Sequence, residues 1–282
     1  MQFASPRSTT ITGVVLVVCG ALFLAWTAIG HHYRYPIEEQ TATWHDGQEE
    51  YRFERSGQDT FAPEVYEQTR SVEEAVYYIR EHYRPETEEE KLKAAYDFTR
   101  ERFLHFMYPH HTWLTNPWLA FAETLFPEKP YNQMALADDK LRHSAVASCG
   151  HAANVFVEVY RAIGGKAQKV SFSGHDIAEA RIGEKQYFVD ANLERFVQGE
   201  VEAMAETEYR LRALYASYPE ERIDHYVKVF GTEATYWGYD GPSFNSRRTQ
   251  QMQTAIAWGK WIAPVPLMLL GVVVLVIGRR RV

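Results

Sequence analysis

The sequence predicts an α+β domain flanked by two membrane-spanning helices, and three observations carry that reading. Two long apolar runs without charge bracket the chain, Ile11–Gly30 and Trp261–Gly278. Between them, the run Cys149–Gly165 reads as a helix whose first residue is the cysteine and whose stop is the pair Gly164-Gly165. Two runs of β-forming residues come next, Asp176–Ile182 and Glu184–Asp190, with Gly183-Glu184 as the turn joining them. The expected core is therefore a helix bearing a cysteine, packed on a small antiparallel sheet bearing a histidine and an aspartate, with helical additions on either side.

Taken in order, residues 1–10 form a short N-terminal segment and 11–30 a first span. Twenty residues at roughly 1.5 Å per residue cross about 30 Å, the hydrocarbon thickness of a bilayer. A cleaved signal peptide is the other reading, with small residues at Ala25 and Ala28, although the apolar stretch is longer than a signal core. Residues 31–60 read as a linker and 61–259 as one extracytoplasmic domain. Within it, Glu64–Tyr83 has a passable helical spacing ended by Pro85. Thr87–Phe106 is a stronger helix: Thr87 caps it, Glu88 to Glu90 place negative charge in its first turn, and Leu92, Ala95, Tyr96, Thr99, Phe103 and Phe106 line one stripe. Pro109–Asp139 is dense in aromatics, prolines and amides. Glu200–Tyr218 and Ile223–Phe230 read as helices, and Tyr236–Arg247 as irregular connection. Residues 260–278 form a second span and 279–282 a basic tail.

The cluster Arg279-Arg280-Arg281 is the largest basic imbalance beside either span and predicts a cytoplasmic C-terminus. Two spans then bring the N-terminus to the same side and leave the domain on the outer face of the plasma (inner) membrane. Arg34 and Lys260 run against this arrangement, while Trp258, Trp261 and Trp26 suit interfacial belts.

Between residues 35 and 259 lie all 37 acidic residues but only 24 of the 30 basic ones, a net of −13. Such a surface excludes nucleic acid as a natural partner, since a phosphate backbone attracts the opposite sign. Of the 2 cysteines, Cys19 falls inside the first span, so Cys149 has no disulfide partner in the chain. An unpaired thiol outside the cytoplasm is either buried and inert or kept for its reactivity. At a helix N-terminus, unpaired amides and a partial positive charge favour an anion, here the nucleophilic thiolate.

His175 heads the first β-run and Asp190 ends the next, the order a Cys149–His175–Asp190 triad requires. His151, two positions past the cysteine, points to another helix face and packs or meets solvent instead. The 11 histidines carry no His-Glu-x-x-His or paired Cys-x-x-Cys spacing, and no Gly-rich phosphate loop occurs, so no metal or other cofactor is expected.

These elements resemble the core of the transglutaminase-like superfamily of papain-like thiol enzymes. The resemblance rests on Ser148-Cys149-Gly150, the strand Gly165 to Val170, Gly174-His175 with Glu179 four residues on, and Tyr187-Phe188-Val189-Asp190. It is close over about 45 residues, Ser148 to Asn192, and extends back to Asn116-Pro117-Trp118, a core of 116–196. Where family members often carry Trp four residues before the acid and Pro after it, this chain has Gln186 and Ala191. The resemblance implies an upstream side-chain donor completing an oxyanion hole beside the cysteine's own amide, for which Trp118 and Gln133, with Asn132 behind them, are the candidates. It also implies acyl transfer through a thioester, either as peptidase or amidase with water, or as transamidase with an amine, on a peptide or protein substrate. The alternative is an inactive fold of this type serving as a membrane scaffold or protein-binding module.

Overall fold

The computed structural model describes residues 6–37, 40, 60–105, 109–126, 133–244 and 247–280. Most of the expected linker and Asn132 therefore lie outside the described residues. The chain divides into two compact units, one made of Met1–Tyr33, His111–Asn132 and Gln251–Val282, the other of Arg34–His110 and Gln133–Gln250.

In the first unit, helix Pro6–His32 is joined by helices Pro117–Leu125 and Pro264–Arg279 and by helix Arg247–Ile262 from Gln251 onward. Two stretches, Thr9–His32 and Arg247–Arg279, are long and apolar enough to cross a membrane. The second exceeds the predicted 260–278 because the polar lead-in is helical too and Ala263 keeps right-handed helical angles between the two segments. The long apolar helices approach backbone to backbone. A Cβ on Gly271 would lie 2.7 Å from the Gly13 carbonyl oxygen, and one on Gly13 would lie 2.9 Å from that of Gly271, so both positions require glycine. Asn116 caps helix Pro117–Leu125 by accepting the Leu119 amide at 3.3 Å, with Pro117 in the first turn where no amide hydrogen is needed.

The second unit holds the α+β fold. Helices Pro63–Gln68 and Val72–His82 replace the single predicted helix over 64–83. The break has one local and one distant cause: Ser71 caps the second helix through the Glu74 amide at 3.1 Å, and the Thr69 carbonyl accepts Arg34 Nη2, 35 residues earlier in the chain, at 2.8 Å. Helix Glu88–Arg102 carries a reciprocal capping box between Thr87 and Glu90. It stops short of Phe106 because Phe103 turns extended and β1 (Leu104–His105) pairs in parallel with β2 (Val146–Ala147). Helix Ala137–His143 precedes β2, and helix Cys149–Ala162 follows it.

Next come β3 (Lys166–Phe172), β4 (His175–Ile182), β5 (Lys185–Asp190) and β6 (Arg195–Gln198), then helices Val201–Ala205, Glu208–Leu214 and Glu220–Phe230 and a short β7 (Thr235–Tyr236). The predicted helix over 200–218 is thus two, parted at Glu206-Thr207. Thr235–Tyr236, at the border of the stretch read as irregular, adds an edge strand. The five strands form one antiparallel sheet in the order β6-β5-β4-β3-β7. Strand alternation gives it two apolar faces. Small residues Ala167, Ala178 and Ala180 let helix Cys149–Ala162 pack closely through Val155, Phe156, Val159 and Tyr160, with Leu92, Ala95 and Phe98 behind it. On the opposite face, Val170, Phe172, Ile177 and Phe188 meet Leu211, Tyr215, Tyr226 and Phe230 of the later helices.

Candidate active site

Cys149 is the first residue of its helix, partly exposed and free of any disulfide. Ser148 occupies the N-cap position with extended backbone, yet its hydroxyl is bonded to His151 Nδ1 at 2.6 Å and caps no amide. The amides of His151 and Ala152 return to the Ser148 carbonyl at 3.0 and 2.9 Å. The first-turn amides of Cys149 and Gly150 are left without a side-chain cap, the condition in which a helix N-terminus attracts an anion. His151 is buried against Phe244, with ring centroids 5.4 Å apart, and burial together with Lys140 and Lys169 holds it well below the ordinary histidine range. It is a packed neutral imidazole, consistent with the face it occupies.

Gly150 has a steric reason. A Cβ there would lie 2.4 Å from Asp176 Oδ2 and 3.6 Å from Lys169 Nζ, the two ends of an ion pair of 3.0 Å whose lysine is fully buried. Asp176 and Lys169 thus press against the helix backbone immediately after Cys149.

His175 opens β4 and Asp190 closes β5. The register Ala178↔Val189, carried one residue further, sets Asp190 opposite Ile177 and puts His175 diagonally across from it on the same face. Their side chains meet there, His175 Nε2 to Asp190 Oδ2 at 2.7 Å, both buried. Asp190 is held from two further sides: its Oδ2 accepts the Tyr215 hydroxyl at 2.8 Å and its Oδ1 accepts the Leu193 amide at 3.0 Å. Burial opposes ionisation of this carboxyl, but the His175 charge and the three hydrogen bonds outweigh it and hold Asp190 below its ordinary range. Burial likewise opposes charge on His175. The Asp190 carboxylate, and then the Cys149 side chain within hydrogen-bonding reach, reverse that effect and hold the imidazole well above its ordinary range. With Nε2 taken by Asp190, Nδ1 is the ring nitrogen available to the thiol.

Tyr226 and Phe230 wall the imidazole, their ring centroids 5.6 and 5.7 Å from it. Cys149, His175 and Asp190 are thus brought together. Tyr215, Asp176 and Lys169 join them without having been singled out from sequence. Tyr215 falls on the apolar stripe of its segment, where a hydroxyl gives no distinguishing signal. Glu179 is buried and accepts Gln168 Nε2 at 2.7 Å and the Tyr239 hydroxyl at 2.8 Å.

The oxyanion-hole candidates part company. Gln133 belongs to the unit of Cys149 and forms an isolated antiparallel bridge with His110. Trp118 belongs to the other unit, on helix Pro117–Leu125, with its ring 5.7 Å from that of Phe23. Among the described residues no three His, Cys, Asp or Glu side chains converge as a metal site. No family model, curated protein or solved structure matches the chain.

Proposed function

We propose that this chain is a membrane-anchored thiol acyl-transfer enzyme of the transglutaminase-like type, acting on peptide or protein amide bonds with Cys149, His175 and Asp190 as its triad. The observation that carries the reading is the buried 2.7 Å bond from His175 Nε2 to Asp190 Oδ2, beside a thiol at an uncapped helix N-terminus. In this mechanism Cys149 Sγ attacks the acyl carbon while His175 Nδ1 holds the thiol proton. The developing oxyanion is met by the Cys149 backbone amide and an upstream donor, with Gln133 the candidate in the same unit. His175 then protonates the leaving amine, the C–N bond breaks, and a thioester remains on Cys149. Water or a second amine resolves it, giving hydrolysis or amine transfer. Asp190, oriented by Tyr215 and the Leu193 amide, fixes the imidazole tautomer throughout. With both apolar segments inserted and the arginine cluster inside, substrates are proteins or peptides at the outer membrane face.

The test is the rate of Cys149 alkylation by iodoacetamide against pH in the detergent-solubilised full chain, read on the Cys149 peptide by mass spectrometry so that Cys19 does not contribute. The expected result is rapid alkylation at pH 6 that is lost in His175→Ala. A rate indifferent to His175→Ala would sink the enzyme reading and leave a binding module of the same fold.

A further inference from the structure

Away from the proposed triad, Lys140 and Asn154 are both fully buried. Lys140 comes from helix Ala137–His143 and Asn154 from the helix that Cys149 opens. Lys140 Nζ donates to the Asn154 side-chain oxygen and, at 3.1 Å, to the Ala135 carbonyl, while the Phe244 ring covers it at 4.5 Å. A buried lysine of this kind is ordinarily matched by a carboxylate; this one is set against a primary amide. Burial first, and then the charge of the nearby Lys169, hold Lys140 well below the ordinary lysine range against the opposing pull of Glu158, Asp139 and Asp176, the direction that favours a nucleophilic amine.

The other side of the amide is equally organised. Asn154 Nδ2 donates to Ser243 Oγ at 2.6 Å, and the Ser243 hydroxyl in turn donates to Glu158 Oε1. Glu158 lies four residues along the helix from Asn154, the spacing at which two side chains share a face. Gln250 Nε2 also reaches Ser243 Oγ, at 2.9 Å. An enclosed amine, an amide beside it, and a hydroxyl–carboxylate pair at the amide nitrogen are together the parts needed for an aminolysis within the chain.

We propose that Lys140 and Asn154 are joined by an intramolecular isopeptide bond. Lys140 Nζ attacks Asn154 Cγ, a C–N bond forms, the Cγ–Nδ2 bond breaks, and ammonia departs. One proton leaves Nζ and one arrives on Nδ2, so the step consumes no oxidant, reductant or cofactor. Ser243 and Glu158 stand where the departing nitrogen must be protonated. The product amide keeps a single N–H, and the Ala135 carbonyl is placed to accept it. The closed loop, Lys140 to Asn154, contains β2, Ser148 and Cys149, so the bond staples the segment that presents the thiol. This inference does not depend on the acyl-transfer reading.

The experiment is mass spectrometry of the full chain purified in detergent, intact and after denaturation and trypsin digestion. The expected intact mass is lower than that of the sequence by one ammonia, about 17 Da, with a digest in which the peptide containing Lys140 is covalently joined to the one containing Asn154 and trypsin does not cut after Lys140. Lys140→Met should run at its own full sequence mass. Wild-type protein at full mass, cut freely after Lys140 and yielding a linear Asn154 peptide, would overturn the proposal; that readout stands even where Lys140→Met fails to fold. A deficit of one ammonia without the joined peptides, as a cyclised asparagine would give, also overturns it.

Discussion

Replacing Asp190 with asparagine removes the charge of the His175 pair while leaving its shape. The 2.7 Å contact is buried on both sides, and the Leu193 amide can still be accepted at Oδ1, so backbone geometry at the end of β5 is retained. Breaking a buried ion pair by removing one partner costs about 3–5 kcal/mol, and the retained amide bond places Asp190→Asn at the lower end, about 3 kcal/mol. For a chain of this size that corresponds to a fall in Tm on the order of 10 °C. The loss must depend on pH, and the two groups set the window. Asp190 is depressed in the folded state, so its contribution is present above the ordinary carboxylate value of 3.8 and fades as pH falls through the folded value. His175 is raised, so its contribution is full below the ordinary imidazole value of 6.5 and fades as pH rises through the folded value. The gap in Tm between wild type and Asp190→Asn should be widest between pH 3.8 and 6.5 and narrow in alkali. Intrinsic tryptophan fluorescence on thermal unfolding in detergent at pH 5.5 and pH 9 measures it. An equal gap at both values would refute the ion-pair account of this site.

Tyr215→Phe deletes one of the donors to Asp190 Oδ2, a hydrogen bond to a charged group worth about 1.5–3 kcal/mol. Asp190 should then titrate nearer its ordinary range, seen as an acid-unfolding limb displaced to higher pH; an unmoved limb would show that the hydroxyl does not act on the carboxylate. Gly150→Ala drives a Cβ to 2.4 Å from Asp176 Oδ2, and displacement of that oxygen strains its 3.0 Å pair with the fully buried Lys169. The variant should lose about 2–4 kcal/mol, from overpacking and the loosened pair, and most of the penalty should vanish in a Lys169→Met, Asp176→Ala background. A full penalty in that background would place the clash elsewhere.

The parts of the fold that were legible from sequence are those whose causes are local. Gly164-Gly165 ends the cysteine helix at Ala162 because nothing distant overrides it, and Gly183-Glu184 separates β4 from β5 where the turn was expected. The first apolar run is helical over its whole length, and the second is interrupted only at Ala263, for the same reason. The breaks at Thr69 and Glu206 were not legible. At Thr69 the helix yields because a carbonyl needed for its continuation is claimed by Arg34, 35 residues earlier, and by Arg102, 33 residues later, and such long-range claims leave no periodic trace. Tyr215 illustrates a different blindness: its spacing marks it as core, which it is, and only the fold reveals that its hydroxyl ends on a carboxylate. Trp118 and Gln133 were indistinguishable as donors upstream of Cys149, since aromatic and amide density is the same whether a segment joins one compact unit or another.

Adjacent residues on β4 divide the labour of the site. His175 points to the sheet face of Asp190, Tyr215 and Phe230, while Asp176 points to the face of Lys169 and the Gly150 backbone. One strand end thus carries both the imidazole and the contact that presses on the first turn of the helix bearing Cys149. Because the side-chain period of a strand is two, a slip of a single residue would exchange those faces, sending the aspartate toward Asp190 and the imidazole toward Lys169. Such a slip would set like charges together on each face. The short connection Ser173-Gly174, with φ of +100° at Gly174, pins Phe172 opposite His175 and so excludes it. The spacing of thiol and imidazole is therefore set less by contacts between them than by the register of β3 and β4, on which both depend.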